Sequence, residues 1–506
     1  MNQSNAAQLT EGQAVIDANK LLKEKMDRDP HRPVYHFLPA TNWMNDPNGA
    51  CQWNGEYHIF YQYNPNGGFW GTMHWGHASS QDLIHWTDLP VALAPDPGTV
   101  DEYGVFSGCM AINNGVPTIV YTGVRMNPET GKRVQLPCIA TSQDNMRTWQ
   151  KHPGNPVIAT PPEGLDVTGF RDHAVWQEDG YWYMVVGSGV TDEGGAIFLY
   201  RSKDLINWEY MNPLFRGTVE ETGVMWECPD FFPLGNKYVL IMSILPTKDT
   251  IYYIGSYDRE KHVFIPEQKG ILDGGGIYYA PQSFLDEQGR RIIWGWLQEG
   301  RSVPTHTEAG WAGVMSAPRI LFLHPDGSLG VKPVPELEAL RSEHRQLEQA
   351  IQTTGNPADV PLFNSPVSGN WELSLQVDPR KAAQFGLRLN YSEGEETVIR
   401  YNTETGRLEI DRTASSHNTS DQHDVRGEAC KLDDNGQLNL RVFLDRSEIE
   451  IYANDRIGLS SRIYPTDPTS LSLSVFSVGG SATVLKGEFW EMESCWKGPR
   501  EFWTQQ

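Results

Sequence analysis

Cysteine is scarce in this chain, with six in 506 residues. They stand at 51, 109, 138, 228, 430 and 495 with no Cys-x-x-Cys pair, which argues against a disulfide framework and a cysteine-built zinc site, and fits free thiols in a reducing compartment. Long apolar runs are missing as well. No stretch approaches the ~20 apolar residues that span a bilayer. The polar start, Met1 to Gln13, lacks the apolar core of a secretion signal, so a cytoplasmic protein with no membrane partner is expected. Positive charge is the third shortage. Forty-one Lys and Arg face 64 Asp and Glu, a net charge of −23, and the basic residues are scattered, which argues against nucleic acid as a partner. What remains suits a globular protein of two domains, since 39% hydrophobic residues suffice for burial and the length exceeds one ordinary core.

Texture changes along the chain mark the domains. Residues 7 to 27 are rich in Ala, Leu, Lys and Glu with Leu21-Leu22 and Ala14-Val15 spaced for one helical face, predicting an N-terminal helical extension over 1–30. From about 34 to 330 short Tyr, Val, Ile and Trp-rich runs alternate with Gly, Pro and Asn, the pattern of many short strands. Within them Ser80-Gln81-Asp82-Leu83-Ile84-His85-Trp86 recurs as Ser142-Gln143-Asp144 to Trp149 and Ser202-Lys203-Asp204-Leu205-Ile206-Asn207-Trp208, with a weaker echo at Ser256-Tyr257-Asp258. All-strand repeats of roughly 60 residues suggest propeller blades, four or five from the repeats alone. Most of the 17 Trp and 20 Tyr then serve packing between blades. Val334 to Gln349 is charged and predicts a helical linker over 335–350. Beyond it, Trp371 to Val377 and Leu438 to Leu444 place apolar residues at every second position, as two packed antiparallel sheets require.

Three acidic motifs carry the chemistry. Asn42-Trp43-Met44-Asn45-Asp46-Pro47-Asn48-Gly49 sets one carboxylate in a run of turn-forming residues, predicting a sharp bend that presents Asp46 at a cavity rim. Gly169-Phe170-Arg171-Asp172-His173 sets Arg171 beside Asp172, where the cation keeps the carboxylate charged. Met225-Trp226-Glu227-Cys228-Pro229-Asp230 sets Glu227 between an indole and a thiol, a poorly hydrating setting that raises a carboxyl pKa. A split of that kind is what an acid/base pair needs. Asp46 precedes the first repeat, Asp172 follows the second and Glu227 the third, so different blades supply them. Taken singly each motif reads as an ordinary turn or surface pair.

Together, in this order and with these flanks, they resemble glycoside hydrolase family 32, the invertases, fructan hydrolases and sucrose-6-phosphate hydrolases. Tyr61-Gln62-Tyr63-Asn64-Pro65, Trp70 to His77, Phe106-Ser107-Gly108, Tyr279-Ala280-Pro281-Gln282 and Trp294-Gly295-Trp296 carry the resemblance further, over nearly the whole chain after residue 30. It implies an all-β fold, a five-bladed β-propeller over 31–334 and a C-terminal β-sandwich over 351–506 to which Asp411-Arg412 and Asp445 to Tyr452 belong. It also implies Asp46 as nucleophile, Glu227 as acid/base and Asp172 as the residue that holds sugar hydroxyls, with Asn45, Gln62, Trp70, Ser107, Arg171 and Tyr279 lining the fructose subsite. The expected reaction is retaining hydrolysis of sucrose, without cofactor or metal; sucrose 6-phosphate, fructans and transfer to a sugar acceptor stay open beside it. An inverting arabinofuranosidase-type propeller and a noncatalytic sugar-binding propeller fit the three motifs less well. The histidines from His74 to His85 lack a helical His-x-x-x-His spacing and are expected to be structural. One departure stands out. The family reads Arg-Asp-Pro where this chain has His173, and regular strand geometry turns His173 away from whatever Asp172 faces unless a bulge redirects it.

Overall fold

The computed structural model describes residues 21–500 apart from 23, 357–358, 364–366, 419–420, 467–470 and 498–499. Positions 21, 22 and 24–27 are helical; residues 1–20 of the expected extension lie outside the described residues.

From Asn42 to Pro333 the chain builds five antiparallel sheets one after another. They open with Asn42–Trp53, Gly104–Asn113, Val167–Glu178, Met225–Leu234 and Tyr278–Leu285. The opening strand of each sheet lies against that of the next, and the fifth lies against the first. Second strands such as Glu56–Asn64 and Tyr181–Val190 are buried almost from end to end, because sheets cover them on both faces. That explains their continuous aromatic and β-branched runs.

The repeated Ser-x-Asp segment occupies one place in each of the first three sheets, the turn from third to fourth strand. Asp82 accepts from the backbone N–H groups of Ile84 and His85 at 3.1 and 2.7 Å, and Asp204 from those of Ile206 and Asn207 at 2.9 and 2.8 Å. These two copies are Asx turns that cap a hairpin, and in the middle copy Asp144 accepts instead from the N–H groups of Arg147 and Thr148 at 3.2 and 2.9 Å. The His74 to His85 stretch is dispersed: His74 bonds the Thr72 carbonyl, His77 stacks on Phe60 at 3.9 Å and His85 bonds Asp82.

The expected linker over 335–350 is helical only as a 3-10 turn at Pro335–Leu340; Arg341–Gln346 is an edge strand. Its charged composition reads as a solvated helix, but the same charges suit a sheet edge that must not pair further. Arg341 lies over the Trp490 ring at 3.9 Å, and His344 stacks on the same ring at 5.1 Å. Two further sheets, of seven and six strands, fill the remainder. Trp371, Leu373 and Leu375 from one face Leu387, Leu389 and Ile410 from the other in a single apolar cluster.

One pairing ties the end of the five-sheet segment to its start, and polar contacts tie that segment to the last two sheets. Trp311–Ala312 returns from the fifth sheet to pair in parallel with Asn42 and Trp43 at the edge of the first. Asp445, in the seven-stranded sheet, accepts from the N–H groups of Val34, Tyr35 and His36 at 2.7, 2.8 and 2.8 Å. Beside it the fully buried Arg319 bonds Asp273 at 2.8 Å and Glu450 at 3.0 Å.

Candidate active site

Each of the five opening strands breaks register at one level. The breaks fall between Met44 and Pro47, at Ser107, at Asp172, between Glu227 and Asp230, and between Tyr279 and Gln282. A bulge leaves a residue out of the ladder and re-aims its side chain. Asp172, Cys228 and Ala280 accordingly take left-handed φ of 60°, 48° and 49°, a region that costs a non-glycine residue on the order of 1–3 kcal/mol. Pro229 and Pro281, which have no N–H to give, stand where the ladder is skipped. The expected sharp bend at Asp46 is therefore not a turn between runs. The motif lies within one strand, Asn42–Trp53, interrupted by two register breaks.

The five bulges surround a cavity of about 330 Å³. Asn45, Asp46, Gln62, Trp70, Ser107, Arg171, Asp172, Glu227 and Tyr279 all line it. Asp46 is held by three donors: Ser107 Oγ at 2.6 Å, Asn45 Nδ2 at 3.0 Å and the Cys228 thiol at 3.6 Å. Trp43 Nε1 bonds Asn45 Oδ1 at 2.7 Å and fixes which end of that amide faces Asp46. Arg171 donates from Nη2 and Nε to Glu227 Oε1 at 2.6 and 3.1 Å, and from Nη1 to Gln135 at 3.0 Å. The Tyr279 hydroxyl donates to the other Glu227 oxygen. Asp172 accepts from the Cys228 N–H at 3.2 Å.

Burial dominates the electrostatics. It pushes the Asp46 carboxyl above the ordinary range; the Ser107 and Asn45 bonds oppose the rise, the charge of Glu227 adds to it and the Cys228 thiol opposes it again. Asp172 is also pushed up by burial, against the pull of Arg171 and with the push of Glu227 and Asp46. Burial, Asp172 and Asp46 drive the Cys228 thiol well up, so it stays a neutral donor.

Two sequence expectations need correction. Arg171 spends its short contacts on Glu227 and stands 3.6 Å from Asp172, where its pull is outweighed by burial and by the charges of Glu227 and Asp46. Trp226 does not border the cavity beside Glu227. Adjacent strand residues face opposite ways, and its fully buried ring stacks on Phe215 at 5.4 Å. His173 is buried and off the cavity wall despite the bulge at Asp172.

Sequence reasoning missed Arg133, Gln135, Leu245, Lys248 and Gln298, which complete the wall. Arg133 and Gln135 alternate on one strand, so period two alone would pair them on a face. Lys248 has no such signal: it arrives in the turn after Leu245, which pairs with Met225 at the start of the Glu227 strand.

Carboxyl groups on separate strands across one cavity, one gripped by three donors and another by an Arg and a Tyr, with the Trp70 ring at the rim, make the constellation of an enzyme that cleaves glycosidic bonds. Residues 36–333 match the glycosyl hydrolases family 32 N-terminal domain and residues 336–491 its C-terminal domain. The chain belongs to glycosyl hydrolases family 32. It is 36% identical to a sucrose-6-phosphate hydrolase of Zymomonas mobilis over 94% of this chain and 95% of that protein. It is 37% identical to a raffinose invertase of Escherichia coli over 90% and 94%. The crystal structure of fructan 1-exohydrolase IIa from Cichorium intybus superposes with a TM-score of 0.83 at 28% identity, covering 94% of this chain and 99% of that one.

Proposed function

We propose that this hydrolase is a retaining β-fructofuranosidase that cleaves sucrose to glucose and fructose through a fructosyl-enzyme, on a five-bladed β-propeller followed by a β-sandwich. The ring of opening strands supports the propeller, and the single apolar cluster between the last two sheets supports the sandwich. The observation that carries the mechanism is that the Asp46 and Glu227 carboxyls, on separate strands, face one cavity, Asp46 held by Ser107, Asn45 and Cys228 and Glu227 by Arg171 and Tyr279.

Asp46 attacks the anomeric carbon of the fructosyl unit as the bond to the glucosyl oxygen breaks, and Glu227 gives that oxygen its proton. Asp172 holds sugar hydroxyls and stabilises the positive charge that develops on the ring. Water then loses a proton to Glu227 and attacks the same carbon, releasing fructose and restoring Asp46. Two inversions give net retention, so NMR of the first-formed fructose is expected to show the substrate's anomeric configuration. Initial release of the opposite anomer refutes the double displacement.

A second reading, sucrose 6-phosphate as substrate, rests on Arg133 and Lys248. Both line the cavity, Arg133 one strand-face position from the Gln135 that meets Arg171 and Lys248 beyond the Glu227 strand's partner. Neither makes an ion pair among the described residues. A phosphate on the leaving sugar adds about −1.5 to −2 charges for two cations to read. Comparing kcat/KM on sucrose and sucrose 6-phosphate in the wild type and in an Arg133→Gln, Lys248→Gln double variant decides between them: a loss confined to the phosphorylated sugar establishes the second reading, equal rates on both sugars the first. A cytoplasmic setting is proposed on the six free thiols, and fractionation of the native host tests it.

A further inference from the structure

His173 lines a small space adjoining the substrate cavity and sharing Ser107 and Asp172 with it. Its Nδ1 lies 3.4 Å from Thr122 Oγ1. That hydroxyl already joins two bulges of the site: it donates to the Ser107 carbonyl at 2.9 Å and accepts from the Asp172 N–H at 3.1 Å. A hydroxyl has one proton and two acceptor positions. Its proton is committed to Ser107, so toward His173 the oxygen only accepts. The ring is therefore the Nδ1–H tautomer, and its second bond saturates Thr122. Nε2 remains a buried acceptor without a partner among the described residues. Burial pushes the imidazole down to about 3, which keeps this donor neutral throughout the working range.

We infer that His173 is a positioning residue: its Nδ1–H locks Thr122 Oγ1 in the orientation that ties the Ser107 bulge to the Asp172 bulge, setting the hydrogen-bond partner of Asp46 and the sugar-holding carboxyl in one register. The inference rests on the roles proposed above for Asp46 and Asp172. It differs from a packing role in needing a donor at one atom. Asn carries its amide nitrogen at the δ position, where His carries Nδ1; Leu fills similar volume without a donor; Val at 122 removes the hydroxyl at nearly constant shape.

The experiment measures sucrose hydrolysis at a temperature well below the melting point of every variant, together with the ring-nitrogen NMR of selectively labelled histidine. His173→Leu is expected to lower kcat roughly tenfold, as small misplacements of reacting groups do, with KM little changed. His173→Asn should restore most of the loss. Thr122→Val should lose a similar factor, and the double variant no more than either single one, because both remove the same link. Wild-type kcat in His173→Leu, equal loss in the Asn and Leu variants, or losses that multiply in the double variant would each overturn the inference. The NMR spectrum should show protonated Nδ1 in the wild type and a changed tautomer population in Thr122→Val. A protonated Nε2 overturns the inference whatever the substrate, whereas failure of the wild type to release fructose overturns only the functional reading.

Discussion

Replacing Ser107 by Ala should move the acidic limb of the kcat/KM profile to higher pH. Ser107 Oγ donates to Asp46 Oδ2 at 2.6 Å, and it is the first of the influences that oppose the upward push of burial on Asp46. A hydrogen bond to a charged group contributes about 1.5–3 kcal/mol net, and one pKa unit corresponds to about 1.36 kcal/mol. Its loss, partly offset by the remaining Asn45 and Cys228 donors, raises the Asp46 pKa by about one to two units. The sign follows from the role. A nucleophile works as the carboxylate, so activity is present above its folded-state pKa and lost as pH falls through it; a raised pKa starts that loss earlier. Initial rates of glucose release across about pH 3 to 8, fitted as kcat/KM, report the free enzyme's ionisations. Ser107→Thr keeps a donor and should leave the limb in place. An unmoved or lowered limb in a folded Ser107→Ala variant refutes Asp46 as the group whose ionisation gates the reaction.

Glu227→Gln should lower kcat on sucrose by about 10²–10⁴, the usual worth of general acid–base catalysis, and a fructosyl donor whose leaving group needs no proton should recover the first step. The same donor should do nothing for Asp46→Asn; equal recovery of both variants would reverse the assignment. Glu450→Ala leaves the fully buried Arg319 with one carboxylate instead of two, and breaking such a pair costs about 3–5 kcal/mol. Denaturant titration should report a loss of that order, and a change below about 1 kcal/mol would mean that water reaches Arg319.

The three acids that line the cavity were legible because each sits in a motif whose neighbours are unusual together, and the hairpin turns were legible because their Asp recurs at a fixed place in the repeat. The bulges were half legible. Pro47, Pro229 and Pro281 inside otherwise strand-like runs are the mark of skipped ladder bonds, yet Ser107 and Asp172 break register with no proline to announce it. Trp226 misled because adjacency in sequence is opposition across a strand. Arg341–Gln346 misled because charge density marks both a solvated helix and a guarded sheet edge, and only the partner strand Ser481–Met492 decides. Gln135 and Lys248 reach the cavity through the arrangement of sheets, a long-range fact that no local window contains.

The pairing of Asn42 and Trp43 with Trp311 and Ala312 orders events in time. The strand that carries Asp46 is among the first synthesised, but its inner edge stays bare until residue 312 has emerged, and its N-terminal lead-in waits for Asp445, 411 residues beyond Val34. Such distant closures make folding slow and leave an unpaired edge exposed meanwhile. A nascent chain that stops short of Trp311 therefore holds Asp46, Asp172 and Glu227 without the finished cavity wall, and its open edge is where association with other chains would begin.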